Sequence, residues 1–193
     1  MREQIEQRFV ESAKVIHAAG EHLAEPVADA VGIVIEAYRS GRGVFLFGNG
    51  GSAADAQHIA GELVGRFLVD RRPLKAVALT TDSSVLTCLA NDFSFEEIFA
   101  RQIEANATAG DVAIGLSTSG NSRNVVAGLA KAREMGLKTI AFTGRDGGKC
   151  AKFVDVLLDV PHADTPRVQE ATVVVYHVLC ELVERVLADE ETT

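Results

Sequence analysis

His58 and Glu62 stand four residues apart in VFLFGNGGSAADAQHIAGEL, residues 44–63. On a helix that spacing puts an imidazole and a carboxylate on one face. Such a pair can act as acid and base, or supply two ligands to a metal ion. Just before it lies a glycine turn, Gly48-Asn49-Gly50-Gly51-Ser52, between an apolar run and a small-residue helix. Backbone amides at a helix start, together with the helix dipole, favour an anion there. A second loop of the same build, Ser117-Thr118-Ser119-Gly120-Asn121-Ser122, also joins an apolar run to a helix. A third, Thr80-Thr81-Asp82-Ser83-Ser84, has the same style. Three hydroxyl-bearing loops describe a crevice suited to a phosphorylated polyol.

His177, in VVVYHVLCELV, and Gln169, eight residues earlier, belong to a long C-terminal helix. They lie about 80° apart around its axis, so both can approach one site without being in line. Each residue also has a purely structural use. His58 and His177 suit satisfied core or polar-face histidines, Glu62 a salt-bridged helix residue, and Gln169 or Ser52 a helix cap. Small neighbours around Glu62 (Ala60, Gly61) argue for close packing, where an idle carboxylate is costly. Arg66, one turn beyond, can tune Glu62 or pair with Asp70.

Gly48, Gly50 and Ala53 also fit a relaxed dinucleotide fingerprint. That reading needs an acidic residue about 20 positions on, at the end of the next strand. Leu68 and Val69 stand there, Asp70 precedes the next strand, and no GK[ST] of a Walker A loop occurs. A single phosphate fits better than a nucleotide.

The elements that position these residues follow from periodicity. Helical spacing fills the first forty residues: Ile5, Phe9, Ala13 and Ile16 mark one face, and Ala24–Tyr38 reads as a second helix. Short apolar runs at 44–47, 76–79, 112–116, 139–142 and 154–158 read as strands of a parallel sheet covered on both faces. Helices are expected at 52–64, 95–106, 125–135 and 167–187, the last with Val174, Val175, Val178, Leu182 and Val186 turned inward. Alternating strands and helices give an α/β sandwich. The tail 189–193 is polar and expected to fray.

The chain has 193 residues, 47% hydrophobic and 24% charged, with a formal net charge of −8. This suits one globular domain and argues against broad nucleic-acid binding. No stretch reaches 18 apolar residues, and MREQIEQRFVESAK lacks a signal-peptide core, so a cytoplasmic chain with no membrane partner is expected. Cys88, Cys150 and Cys180 are odd in number and lack a CxxC, which fits a reducing compartment and a role as small core residues.

Five stretches occur in order: GNGGSAADAQHIAGEL, ANDFSFEEIF, STSGNS, TGRDGG and ADTPRVQE. Together they resemble the sugar isomerase (SIS) domain family over almost the whole chain. The resemblance implies a flavodoxin-like α/β fold. That is a three-layer sandwich around a parallel five-stranded sheet, one domain over 1–193 with extra N-terminal helices at about 1–40. It implies an aldose–ketose isomerase that converts D-sedoheptulose 7-phosphate to D-glycero-D-manno-heptose 7-phosphate through an enediol or enediolate. Glu62 and His177 match the family's acid/base pair. Asn49, Gly50, Gly51, Ser52, Glu62, Asn91, Asp92, Ser117, Thr118, Ser119, Ser122 and Gln169 match its substrate-binding positions. His58, Glu62, Gln169 and His177 match a site for zinc, one per subunit, and Asp164 and Arg167 resemble entrance or interface residues. A homotetramer with active sites between subunits is implied as well. One branch of the family binds the bacterial replication initiator without catalysis, and others act on different phosphosugars. The first of these lacks the acid/base pair that this sequence carries.

Overall fold

The computed structural model describes residues 1–191. Its elements run α1 (Arg2–Arg39), β1 (Val44–Gly48), α2 (Gly51–Val64), β2 (Ala76–Ala78), α3 (Ser83–Asp92) and α4 (Ile98–Asn106). There follow β3 (Val112–Ser117), α5 (Arg123–Glu134), β4 (Lys138–Thr143), a 3₁₀ turn (Cys150–Phe153), β5 (Val156–Asp159) and α6 (Thr165–Glu191). Five parallel strands form one sheet in the order β2-β1-β3-β4-β5. The expected α/β sandwich is the observed fold.

Strand residues alternate between two cores. Leu46, Ile114, Leu116 and Phe142 face α1, α2 and α6, while Phe45, Phe47, Ala113 and Ala141 face α4 and α5. The strand order reverses between β1 and β3, which pair from Val44↔Val112 to Gly48↔Leu116. A crevice opens beyond the carboxyl ends of two strands at such a switch point. Gly48 lets them close up: a Cβ there would meet backbone oxygens of Ser52 at 2.8 Å and Leu116 at 2.9 Å. The glycine turn and the serine loop therefore sit side by side.

Several expectations are corrected. The two N-terminal helices are one helix of 38 residues that runs through Pro26. Proline inside a helix costs about 3 kcal/mol. An unbroken buried stripe, Val15, Ala19, Leu23, Val27, Ala30 and Val34, packs α1 into the same core as α6 and offsets that cost. Ile5 and Phe9, expected on the apolar face, are 52% and 74% exposed. Inside α6 the core stripe is Val168, Ala171, Val175, Leu179 and Val183. Val174, Val178, Leu182 and Val186 lie on the adjoining face and stay exposed. The helix continues through Glu191, so 189–191 is helical, and the rest of that tail lies outside the described residues. Ser83 and Ser84, expected in a loop, instead open α3, whose N-cap Asp82 accepts from the Val85 amide at 2.9 Å. Cys150 and Cys180 are buried, but Cys88 is exposed on α3.

Candidate active site

Helix α2 begins at Gly51 directly after β1 and points its first turn into the crevice. Gly50 precedes it with φ 56°, a left-handed conformation that glycine adopts without strain. Asn49 bridges the switch point. Its side-chain amide and that of Asn124 on α5 exchange two hydrogen bonds, both 2.8 Å. Ser52 is buried at the start of α2, and Gly51 lies against Gln169 of α6.

Across the switch point, the Ser117 hydroxyl donates to the Ser122 hydroxyl at 3.1 Å. The Asn121 amide donates to the Ser119 hydroxyl at 3.1 Å, and the Thr118 carbonyl accepts from the Gly144 amide at 2.9 Å. Gly120 turns the loop with φ 62° against the Gly147 carbonyl. Ser122 is the N-cap of α5 and makes no side-chain cap bond; the Val125 amide is taken by Asn124 Oδ1 at 2.9 Å, which leaves the Ser122 hydroxyl proton and the Arg123 and Asn124 amides for an anion.

About two turns into α2, His58 meets Glu62 from the turn after it, with Nε2 to Oε1 at 3.0 Å. His177 arrives from α6, its Nε2 at 3.4 Å from His58 Nε2. These three residues bring ligand-capable atoms within 4.8 Å of one another. Behind them, the Tyr176 hydroxyl lies 2.9 Å from His58 Nδ1, and Asp55 stands one turn before His58 on α2. Burial raises the Asp55 carboxyl above its usual range, partly offset by His58 and Tyr176. The Tyr176 phenol is pushed up as well, by burial first and then by Asp55.

Phe67 stacks on the His177 ring, with centroids 5.3 Å apart and planes at 27°. The loop that carries Phe67 is strapped to α6 by a buried ion pair. Glu184 accepts from the amides of Phe67 (2.8 Å), Leu68 (2.5 Å) and Val69 (3.0 Å) and faces Arg71 at 3.3 Å. Arg71 in turn donates to the carbonyls of Glu62, Leu63, Gly65 and Arg72. Burial alone would raise the Glu184 carboxyl; the three amides and Arg71 outweigh it and hold it below the usual range.

A model of the SIS domain matches residues 8–144. The chain belongs to the SIS domain family. It is 55% identical over 189 residues to a phosphoheptose isomerase of Aquifex aeolicus, covering 98% of this chain and 99% of that one. Among solved structures it is similar to the phosphoheptose isomerase of Neisseria gonorrhoeae at 42% identity and a TM-score of 0.90, covering 95% of this chain and 98% of that chain. The enzyme from Francisella tularensis is similar at 30% identity and a TM-score of 0.91, covering 95% and 97%.

In this SIS domain most of the expected site residues come from the ends of the paired strands β1 and β3 and from α2 and α6. Asn49, Gly50, Gly51, Ser52, His58 and Glu62 come from the β1 turn and α2, and Ser117, Thr118, Ser119 and Ser122 from the β3 loop. Gln169 and His177 come from α6. Asn91 and Asp92 are not joined to the group by any hydrogen bond or ion pair among the described residues. They end α3, exposed, and bond to each other and to Cys88. Arg66 is exposed, and Arg71 takes the buried position on this loop instead. Arg167, only 12% exposed, ties α6 to the start of α1 through Glu11.

Sequence reasoning missed Tyr176, Asp55, Asn124, Phe67 and the Arg71–Glu184 pair. Two had a periodic signal: Asp55 precedes His58 by three residues, and Glu184 follows His177 by seven, so each shares its partner's helix face. A second cluster, Glu11, His162 and Asp164, could also hold a metal. Arg8 at 2.7 Å and Arg167 at 3.6 Å already neutralise its Glu11, which disfavours a cation there.

Proposed function

We propose that this chain interconverts D-sedoheptulose 7-phosphate and D-glycero-D-manno-heptose 7-phosphate. The observation that carries the reading is the meeting of His58, Glu62 and His177, on the helix that starts at the glycine turn and on α6 packed beside it. It occurs in a chain 55% identical to a phosphoheptose isomerase over nearly its full length. The initiator-binding alternative has no feature of this site in its favour, since both members of the acid/base pair are present and close.

In this reading Ser117, Ser119 and Ser122, with the α5 amides and Thr118, hold the phosphate. Asn49 to Ser52 and Gln169 line the sugar. Glu62 takes the C1 proton of the ketose through Oε2, since Oε1 faces His58. His177 gives a proton to O2 as the enediol forms. Glu62 then returns its proton to C2, and His177 recovers one from O1, so ketose and aldose differ only in where two protons sit.

Two imidazole nitrogens, a carboxylate oxygen and the Gln169 amide are a donor set that suits zinc. His58, Glu62, Gln169 and His177 would hold one ion per subunit; with Glu62 and His177 engaged as ligands, the ion would supply Lewis-acid polarisation of the sugar carbonyl in place of proton donation by His177. The exposed apolar stripe of α6 and the exposed Ile5, Phe9 and Val10 of α1 support a homotetramer. Active sites at its interfaces would give Asn91 and Asp92 a place at a neighbouring copy's sugar. Among the described residues no helix is long and apolar enough to cross a membrane, and three cysteines are free, which supports a cytoplasmic setting.

The test is product analysis with sedoheptulose 7-phosphate, with and without a chelator. Heptose 7-phosphate should form without chelator, and zinc should restore any turnover that the chelator removes. Absence of product in every condition would overturn the proposal.

A further inference from the structure

Three rings stand around the His177 imidazole. His58 and Tyr176 meet it nearly at right angles, at 72° and 83°, with centroids 5.1 and 4.9 Å away. Of the three, Phe67 alone lies nearly parallel, at 27° and 5.3 Å. The torsion that turns an imidazole about its Cβ–Cγ bond is broad and roughly two-fold, so the backbone of α6 does not by itself set the ring plane. A parallel aromatic face does, because rotation gives up the stack. In the observed plane His177 Nε2 stands 3.4 Å from His58 Nε2.

The loop after α2 holds that face still. The Phe67 amide donates to Glu184 at 2.8 Å, and the next two amides bond the same carboxylate. Glu184 lies seven residues beyond His177 on α6, about two turns along the same face. One helix therefore carries both the imidazole and the clamp for the ring that covers it. The clamp is rigid, since Glu184 and its partner Arg71 are each 1% exposed. Phe67 itself is half-buried, one part against the core and one face on His177.

We propose that Phe67 is a positioning residue for His177: its ring face fixes the imidazole plane, and with it the direction of Nε2 toward the His58–Glu62 pair. Phe67 acts through His177, both as a proton carrier and as a zinc ligand. The inference rests on the isomerase reading only for its kinetic consequence, not for the stack. Aromatic pairs of this kind are worth about two- to tenfold in an equilibrium or a rate.

The experiment reads ring placement and its consequence separately. Spectra of histidine-labelled full-length protein, without metal and at alkaline pH, report the His177 ring protons, assigned by their loss in His177→Gln. Those protons should lie in the ring current of Phe67 and move in Phe67→Leu, which keeps apolar bulk and removes the face. Phe67→Leu should lower kcat for sedoheptulose 7-phosphate, and zinc affinity in competition with a chromophoric chelator, each about two- to tenfold, with KM close to wild type. Phe67→Tyr restores the face and should recover most of both losses. His177 signals that do not move in Phe67→Leu overturn the stack. Equal losses in the leucine and tyrosine variants overturn the positioning role. So does a lower melting temperature with wild-type kcat and zinc affinity, which would make Phe67 packing alone. If wild-type protein neither turns over the sugar nor binds zinc, the isomerase reading falls, and the ring signals alone decide for or against Phe67.

Discussion

Gly51→Ala isolates the placement of Gln169 from the stability of the fold. A Cβ built at Gly51 would lie 2.3 Å from Gln169 Nε2 and 3.3 Å from its Cδ. Ordinary contact is about 3.4 Å or more, so the amide must retreat by about 1 Å. The obstructing atom is the end of a flexible side chain, and it moves by rotation without disturbing backbone. Gly51 is the first residue of α2 and has no positive φ, so alanine there adds stability of about 0.4–1 kcal/mol through the unfolded chain. The melting temperature should hold or rise slightly. Turnover should fall, because misplacing a substrate-positioning group by about 1 Å costs on the order of a hundredfold. Coupled product analysis over a range of sedoheptulose 7-phosphate gives kcat/KM, and thermal unfolding gives stability on the same samples. The double variant Gly51→Ala/Gln169→Ala completes a cycle: if alanine acts through Gln169, removing the amide in the Gly51→Ala background costs little more. Wild-type kcat/KM in Gly51→Ala, or a loss fully additive with Gln169→Ala, would refute the placement.

Three further outcomes are expected. Glu62→Gln should lower exchange of solvent deuterium into C1 of the sugar by at least about a hundredfold, read by NMR, while the fold is retained. Glu184→Gln leaves the buried Arg71 short of its counter-charge and should cost about 3 kcal/mol, about 6–12 °C in melting temperature. Because the folded-state pKa of Glu184 is lowered, its stabilisation is full above the unfolded value of about 4.3 and is lost as pH falls through the folded value. The gap between wild type and Glu184→Gln in urea midpoints should therefore close in acid; a gap independent of pH would count against the pair. Gly120→Ala asks a Cβ to stand 2.1 Å from the Gly147 carbonyl at φ 62°, and backbone cannot swing away as a side chain can. It should lower the melting temperature and raise KM for the phosphorylated sugar, and an unchanged KM would separate this turn from phosphate binding.

What could be read from the sequence was local. The turn 48–52, the loop 117–122 and the His58–Glu62 spacing each need only neighbours along the chain, and each stands where the pattern put it. The apolar runs likewise became strands, since a sheet covered on both faces leaves few other uses for them. The misses have a different physical origin. Helical spacing divided the first forty residues into two helices, but one buried stripe against α6 carries a single helix through Pro26. The α6 stripe was placed one position off, because valines at 174, 175 and 178 leave the phase of the apolar face ambiguous.

The residues that hold the site were less legible still, since their partners are far off in sequence: Asn124 to Asn49, Phe67 to His177, Tyr176 to His58, Glu184 to the loop after α2. Those four contacts share a consequence. The acid/base candidates sit on two helices from distant parts of the chain, so their separation depends on how α6 docks beside α2. The Glu184–Arg71 strap fixes that docking at one end and the Tyr176–His58 contact at the other, with Phe67 against His177 between them. A change at either strap should therefore reach His177 before it reaches the phosphate loop, which is carried by β3 and α5 and braced by the segment after β4. Glu184→Gln is thus expected to lower kcat more than it raises KM, and the reverse ratio would place the effect of the strap elsewhere.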